Sequence, residues 1–302
     1  MKKWLKVVLA SIGAIILVVC VALVIITRTS GIEMVTNPVG ARDPIDETPA
    51  DYGLPYEDVT VTTGDGLDLA GWYIPSQNGA VIMAQHGFQN DREEMLPHAQ
   101  MLGHHGYGVL ITSFRTHDLS EGDLITWGRD EMQDLEAWYQ YLLRRDDVDP
   151  DRIGALGNSF GGAMSIKYAA ENEEIKAIVT HSTFSSIDDS VEIGVKQRTG
   201  LPPFPFAPMI VFWAERHAGI DTSEIDSTLW IKGICGRPVF ILQGGADDYI
   251  SPESGQDLYD GACQPKEFWF EQAAGHCTLH ELKPEEFEQR VVTFFDRYLL
   301  EE

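Results

Sequence analysis

Six short apolar runs recur along this chain without alternating: residues 80–85, 108–112, 153–156, 177–180, 239–242 and 268–270. A strand with one wet face alternates apolar and polar side chains; a strand covered on both faces does not. Such runs predict a parallel sheet enclosed by helices. Two earlier runs, 59–63 and 67–74, flank Gly64-Asp65-Gly66, which reads as a hairpin turn. Between the later runs the period changes. Glu131, Leu135, Trp138, Tyr139 and Leu142 repeat near 3.6, with Arg144 and Arg145 expected in the last turn, where the helix dipole favours cations. Pro284 opens another helix, expected to reach about Leu300 with Phe287, Val291, Phe294, Phe295 and Tyr298 on one side. The pattern predicts an α/β sandwich with one mostly parallel, eight-stranded sheet and helices on both faces.

Residues 7–26 carry no charge. As a helix they span about 30 Å, the thickness of a bilayer core. Trp4 stands at one edge; Lys2, Lys3 and Lys6 precede the run and Arg28 follows it. The positive-inside rule then predicts a cytoplasmic N-terminus and an extracytoplasmic body. The rival is a cleaved signal peptide. Its apolar region is normally 7–15 residues and ends at a small-residue site. Here the run is longer, Ala-x-Ala is absent, and Val19 stands before Cys20 where a lipoprotein site wants a small residue. An uncleaved anchor is the better reading, and both readings export the body.

The expected organisation is a transmembrane anchor over 1–28, a tether over 29–57 rich in proline (Pro38, Pro44, Pro49, Pro55), and one domain over 58–302. Residues 185–230 interrupt the strand–helix alternation and hold Phe204, Phe206, Phe212 and Trp213. They read as a short cap above the C-terminal ends of the strands. Its aromatics either line an apolar pocket or pack on the body. Lys and Arg total 22 against 47 Asp and Glu, for a net charge of −25. A chain this acidic repels phosphate backbones, which excludes nucleic-acid partners.

The decisive motif is Gly157-Asn158-Ser159-Phe160-Gly161-Gly162, placed between a predicted strand and a predicted helix. Gly-x-Ser-x-Gly in that context is a nucleophile elbow. The turn is too tight for side chains at 157 or 161, and it lifts Ser159 onto a strained, exposed position. The helix that follows aims its N–H groups at the same point, which favours a developing anion. A serine hydroxyl needs a base. His276 follows the last predicted strand, in a loop level with the elbow; His280 is its competitor. The imidazole needs a carboxylate, and Asp247 and Asp248 follow the strand at 239–242. The chain order is then nucleophile, acid, base. His86-Gly87-Phe88 follows the strand at 80–85, so the oxyanion-hole N–H groups are expected from Phe88 and Phe160, with His86 shaping the loop. His104, His105 and His181 lack partners at metal-ligand spacing and read as surface or packing residues. No Cys-x-x-Cys occurs. Cys235 and Cys263 precede the last two predicted strands; they can pair if those strands are neighbours, leaving Cys277 free.

These residues together resemble the α/β-hydrolase superfamily over about residues 50–300. Within it the chain is similar to membrane-anchored or secreted bacterial hydrolases of the BEM46-like and serine aminopeptidase-type groups. The stretches that carry the likeness are residues 66–72, His86-Gly87-Phe88, Ser120-Glu121-Gly122, residues 149–153 before the elbow, and residues 247–252. The resemblance implies Ser159 as nucleophile, His276 as base and Asp247 as acid. Asp247 is preferred to Asp248 because Asp-x-x-Ile-x-Pro is similar to the family's acid loop. One departure is clear: the family often has Asp-x-Arg-Gly-x-Gly-x-Ser after the fourth strand, and here residues 113–120 read Ser-Phe-Arg-Thr-His-Asp-Leu-Ser. The expected activity is hydrolysis of ester-like bonds in a small acyl substrate through an acyl-enzyme, with no metal or organic cofactor required. A peptidase or acyltransferase of the same fold, and a non-catalytic anchored binding module, are the alternatives.

Overall fold

The computed structural model describes residues 3–301. The chain begins with α1 (Lys3–Glu33), then the strands β1 (Glu57–Thr62), β2 (Asp68–Ile74) and β3 (Val81–Gln85). Next come α2 (Leu96–His104), β4 (Gly108–Thr112), α3 (Glu131–Leu142), β5 (Ile153–Asn158), α4 (Phe160–Glu171) and β6 (Ala177–His181). Three helices follow: α5 (Ile187–Thr199), α6 (Pro203–Ala218) and α7 (Ser227–Trp230). The chain closes with β7 (Val239–Gly244), α8 (Pro252–Gly261), β8 (Lys266–Glu271), α9 (Leu279–Leu282) and α10 (Pro284–Phe295), the last running into a wider turn at Asp296–Leu300.

Among the described residues the strands form one eight-stranded sheet in the order β1-β2-β4-β3-β5-β6-β7-β8. Only the β1–β2 and β2–β4 pairings are antiparallel; every other pairing is parallel. The predicted hairpin turn is present, with Gly66 at φ 90°, in the left-handed region where glycine is unstrained. The unalternating strands β3 to β7 are buried on both faces, as their pattern requires; the run at 268–270 is the exception, since β8 is an edge strand and Phe270 is 42% exposed. Val81, Met83, Leu110, Ala155, Ile178 and Ile241 meet α3, α4 and α8 on one side. Ile82, Ala84, Ile111, Leu156, Val179 and Leu242 meet α2 and α10 on the other.

Three expectations need correction. Arg144 and Arg145 lie beyond the end of α3; Arg145 instead pairs with Glu57 and Asp147 and covers the Tyr73 ring. The helix expected to stop at residue 28 runs on to Glu33, and the segment after it lies on the body. Val35 and Leu54 are buried, Ile125 N–H donates to the Val35 carbonyl, and Arg42 donates to the carbonyls of Asp118 and Ser120. Finally, the four aromatics of the excursion divide: Phe204 and Phe212 are 78% and 55% exposed, whereas Phe206 and Trp213 are partly buried, Trp213 against α1.

The excursion over α5–α7 is pinned at its base by an antiparallel bridge between Ser186 and Asp226. Its helix α6 packs against the end of α1. Thr27 and Gly31 are buried there, and a Cβ at position 31 would come within 2.7 Å of the Trp213 Cβ. Close approach of two helix backbones explains the glycine. Cys235 and Cys263 form a disulfide across the N-terminal ends of the neighbouring strands β7 and β8, and Cys277 is free and buried.

Candidate active site

Five chain segments converge on the C-terminal edge of the sheet, where open α/β folds bind ligands. Ser159 follows β5 directly and takes φ 49°, ψ −112°. For a residue with a Cβ this is a strained backbone, held by the surrounding structure. Its N–H donates to the His181 carbonyl at 2.8 Å, and its own carbonyl accepts the Ala163 N–H at 3.2 Å, the first bond of α4. The glycines allow the turn. A Cβ at 157 would collide with the backbone of Gly161 and Gly162, and one at 161 with the carbonyls of Gln85 and His86. Neither neighbour is a movable side-chain tip. Gly161→Ala is therefore expected to cost about 3 kcal/mol or more, beyond the usual range for overpacking, because backbone must shift. A denaturant unfolding midpoint close to that of the unaltered chain would contradict it.

The loop after β7 carries Asp247, which is buried, while Asp248 is exposed. Asp247 Oδ1 accepts the N–H groups of Tyr249 and Ile250 at 2.9 and 2.8 Å. Its Oδ2 lies 2.9 Å from His276 Nδ1. Burial pushes the Asp247 carboxyl up, but the imidazole and the two N–H donors outweigh it and hold the group below its usual value. His276 stands in the loop after β8, and the Tyr249 ring lies against it. The next residue, Cys277, donates its N–H to Ser182 Oγ, and its thiol points to the His181 carbonyl at 3.6 Å. The loop carrying His276 and the backbone of Ser159 thus share one acceptor, the His181 carbonyl. Burial raises the Cys277 thiol well above the normal range, so it stays protonated and inert.

The loop after β3 closes the ring. A Cβ on Gly87 would lie 3.7 Å from the Ser159 Cβ. The Phe88 ring stacks on Trp127 with centroids 4.8 Å apart and touches the buried Phe160 ring edge-on at 6.4 Å. His86 is buried. Its Nε2 accepts the Phe114 N–H, which leaves the proton on Nδ1 to bond the Gly87 carbonyl. Burial lowers its pKa to about 4, so it serves as a neutral brace and not as a base.

Several residues outside the sequence reading shape this loop. Glu94 accepts the Gly87 N–H at 2.6 Å and the Asn158 side-chain amide at 2.9 Å, tying the loop after β3 to the residue before the nucleophile. Gln89, at φ 54°, sends its N–H to His117 and its side-chain amide to the carbonyls of Glu33 and Thr36. Trp127 Nε1 donates to the Met34 carbonyl. The end of α1 is therefore bonded to the walls of the site. The departure after β4 is also resolved. Thr116 and Asp118 stand where the family pattern has glycines, and both take positive φ, 63° and 48°. Asp118 is held there by an ion pair with buried Arg92. Two open cavities of about 540 and 480 Å³ lie elsewhere, the first beside β1 and α3, the second between Trp127 and Trp230.

Comparison with known proteins agrees with this architecture. Residues 70–204 match the family model described as X-Pro dipeptidyl-peptidase (S15 family). The solved structure of the esterase Pf2001 from Pyrococcus furiosus superposes with a TM-score of 0.74 at 29% identity, covering 88% of this chain and 98% of that one. The uncharacterized protein Rv2307c of Mycobacterium tuberculosis is 28% identical over 222 residues, 72% of each chain. The uncharacterized protein YqkD of Bacillus subtilis is 24% identical over 234 residues, 76% of each chain. The fold is that of the α/β-hydrolases, and the chain is a hydrolase of that fold.

Proposed function

We propose that the chain is a serine hydrolase of ester-like bonds, with Ser159 as nucleophile, His276 as general base and Asp247 as its orienting carboxylate. The observation that carries this reading is the 2.9 Å contact between Asp247 and His276, made at the strand ends beside an elbow serine. His276 takes the Ser159 proton as Oγ bonds to the acyl carbon. The N–H groups of Phe88 and Phe160 hold the oxyanion, and the collapsing intermediate expels an alcohol or thiol that takes the proton from His276. Water, activated by the same imidazole, then releases the acid. The likeness to the Pyrococcus esterase supports an ester substrate.

A peptidase is the second reading, favoured by the S15 match; that match ends at residue 204, before Asp247 and His276. Labelling of the full chain with a fluorophosphonate probe, followed by a panel of ester, thioester and aminoacyl-amide substrates, tests both. A folded chain left unlabelled at Ser159 supports a binding module instead.

We also assign α1 as an uncleaved anchor with the body outside the membrane. Two features support it. The last turns of α1 are packed on α6 and bonded to Gln89 and Trp127, so cleavage there would strip contacts from the site. The Cys235–Cys263 disulfide suits an oxidising compartment. Exposed Phe204 and Phe212 on α6 then face the interfacial region beside the anchor. The expected mass of protein extracted from membranes is that of the unshortened chain; a soluble product shortened within residues 17–33 would refute the assignment.

A further inference from the structure

Three histidines far apart in sequence meet behind the base. His98 lies on α2, His181 ends β6, and His280 lies on α9. One ring nitrogen from each lies within 4.8 Å of the other two. His98 and His181 are 1% and 0% exposed. Both ring nitrogens of each, and Nδ1 of His280, lack a well-formed hydrogen bond within 3.5 Å among the described residues, the carbonyls of Glu94 and Cys277 being the nearest acceptors to His98 and His280. We propose that His98, His181 and His280 bind a divalent transition-metal ion, zinc by preference, which fastens the loop carrying His276 to the sheet.

The chemistry runs from the orphaned atoms outward. A buried imidazole nitrogen without a partner costs about 1–3 kcal/mol, and one nitrogen from each of the three rings can be satisfied by a common partner. A metal ion takes one lone pair from each ring. Imidazole suits zinc, and three nitrogens with a fourth position left to water is a known zinc arrangement. Zn–N bonds of about 2.0–2.1 Å in a tetrahedron place the nitrogens roughly 3.4 Å apart. The observed spacing, up to 4.8 Å, is wider, so binding requires the rings to draw together around the ion. Burial holds His98 down at about 3 and the other two below their usual value, so all three rings are neutral, the form that ligates.

The surroundings fit as well. With Nδ1 of His280 turned inward, its Nε2 faces Glu281 Oε1 at 3.8 Å, the carboxylate that metal-bound histidines commonly have behind them. The Phe287 ring packs on all three imidazoles, with centroids 5.5 to 5.9 Å away, and forms a dry wall. His280 is four residues past His276, and the His181 carbonyl accepts the Ser159 N–H. A metal here joins the loop carrying His276 to β6, whose last carbonyl holds the Ser159 N–H, without touching the proposed reacting atoms.

The test uses the full chain in detergent micelles, without a histidine tag, stripped with a chelator and titrated with Co²⁺ as the probe. The expected result is about one equivalent bound with the visible absorption of tetrahedral cobalt, displaced by Zn²⁺, together with a higher melting temperature. His98→Gln, His181→Gln and His280→Gln should each weaken Co²⁺ binding more than about tenfold. His280, partly exposed on a short helix, is the variant expected to keep its fold, checked by near-ultraviolet circular dichroism. Ser159→Ala should bind Co²⁺ as the unaltered chain does, which separates this proposal from the hydrolase reading. No cobalt signal in the unaltered chain, or unchanged binding in a folded His280→Gln chain, overturns it.

Discussion

Ser159→Ala should lower turnover of a short p-nitrophenyl ester by roughly 10⁵-fold while leaving the fold unchanged. The fold survives because this residue's structural bonds run through its backbone: its N–H to the His181 carbonyl and its carbonyl to the Ala163 N–H. Both remain in the variant. Alanine also tolerates the positive φ no worse than serine, so the elbow keeps its shape. What is lost is the single atom proposed to form the acyl bond. Residual rate then comes only from binding and from the oxyanion donors. A rate within about tenfold of the unaltered chain, in a protein of unchanged melting temperature, ends the assignment of Ser159. Loss of fluorophosphonate labelling in the same variant locates the reacting atom independently of any chosen substrate.

The parts of this molecule that were legible in the sequence are those written locally. The unalternating runs marked strands covered on both faces, and residues 81–85 have no exposed side chain among them. The elbow was legible because two glycines, at 157 and 161, are required by backbone collisions within one short turn. What the sequence hid depends on pairs distant in the chain. Gly31 carries no message until the Ile210 and Ala214 backbone and the Trp213 Cβ lie against it. Gln89 resembles any loop glutamine until its amide reaches the carbonyls at the end of α1. Nothing along the chain associates His181 with His98 and His280, which come to it only through the topology of the sheet. Thr116 and Asp118 conceal a different thing: left-handed backbone at residue types that do not advertise it, with Asp118 held by the charge on Arg92.

Asp247→Asn should lower the same turnover by roughly 10³–10⁴-fold, and Asp248→Asn by less than about twofold. The first effect follows from which atoms the side chain already serves. Oδ1 accepts two N–H groups, from Tyr249 and Ile250, so in the amide the oxygen must stay on that side. The NH₂ group then takes the place of Oδ2, the nearer oxygen to His276 Nδ1, at 2.9 Å against 3.1 Å for Oδ1. An amide N–H facing Nδ1 makes that nitrogen the acceptor and sends the imidazole proton to Nε2. A ring protonated on Nε2 has no lone pair there to take the serine proton. The carboxylate that would balance the imidazolium charge is also gone. Because the amide keeps the same shape and the same two backbone bonds, stability should change little, which separates the chemical loss from a folding loss. Asp248 is exposed and makes no such contact, so it serves as the matched control. Equal losses in the two variants, or full activity in Asp247→Asn, would remove Asp247 from the mechanism and with it the reading of His276 as an oriented base.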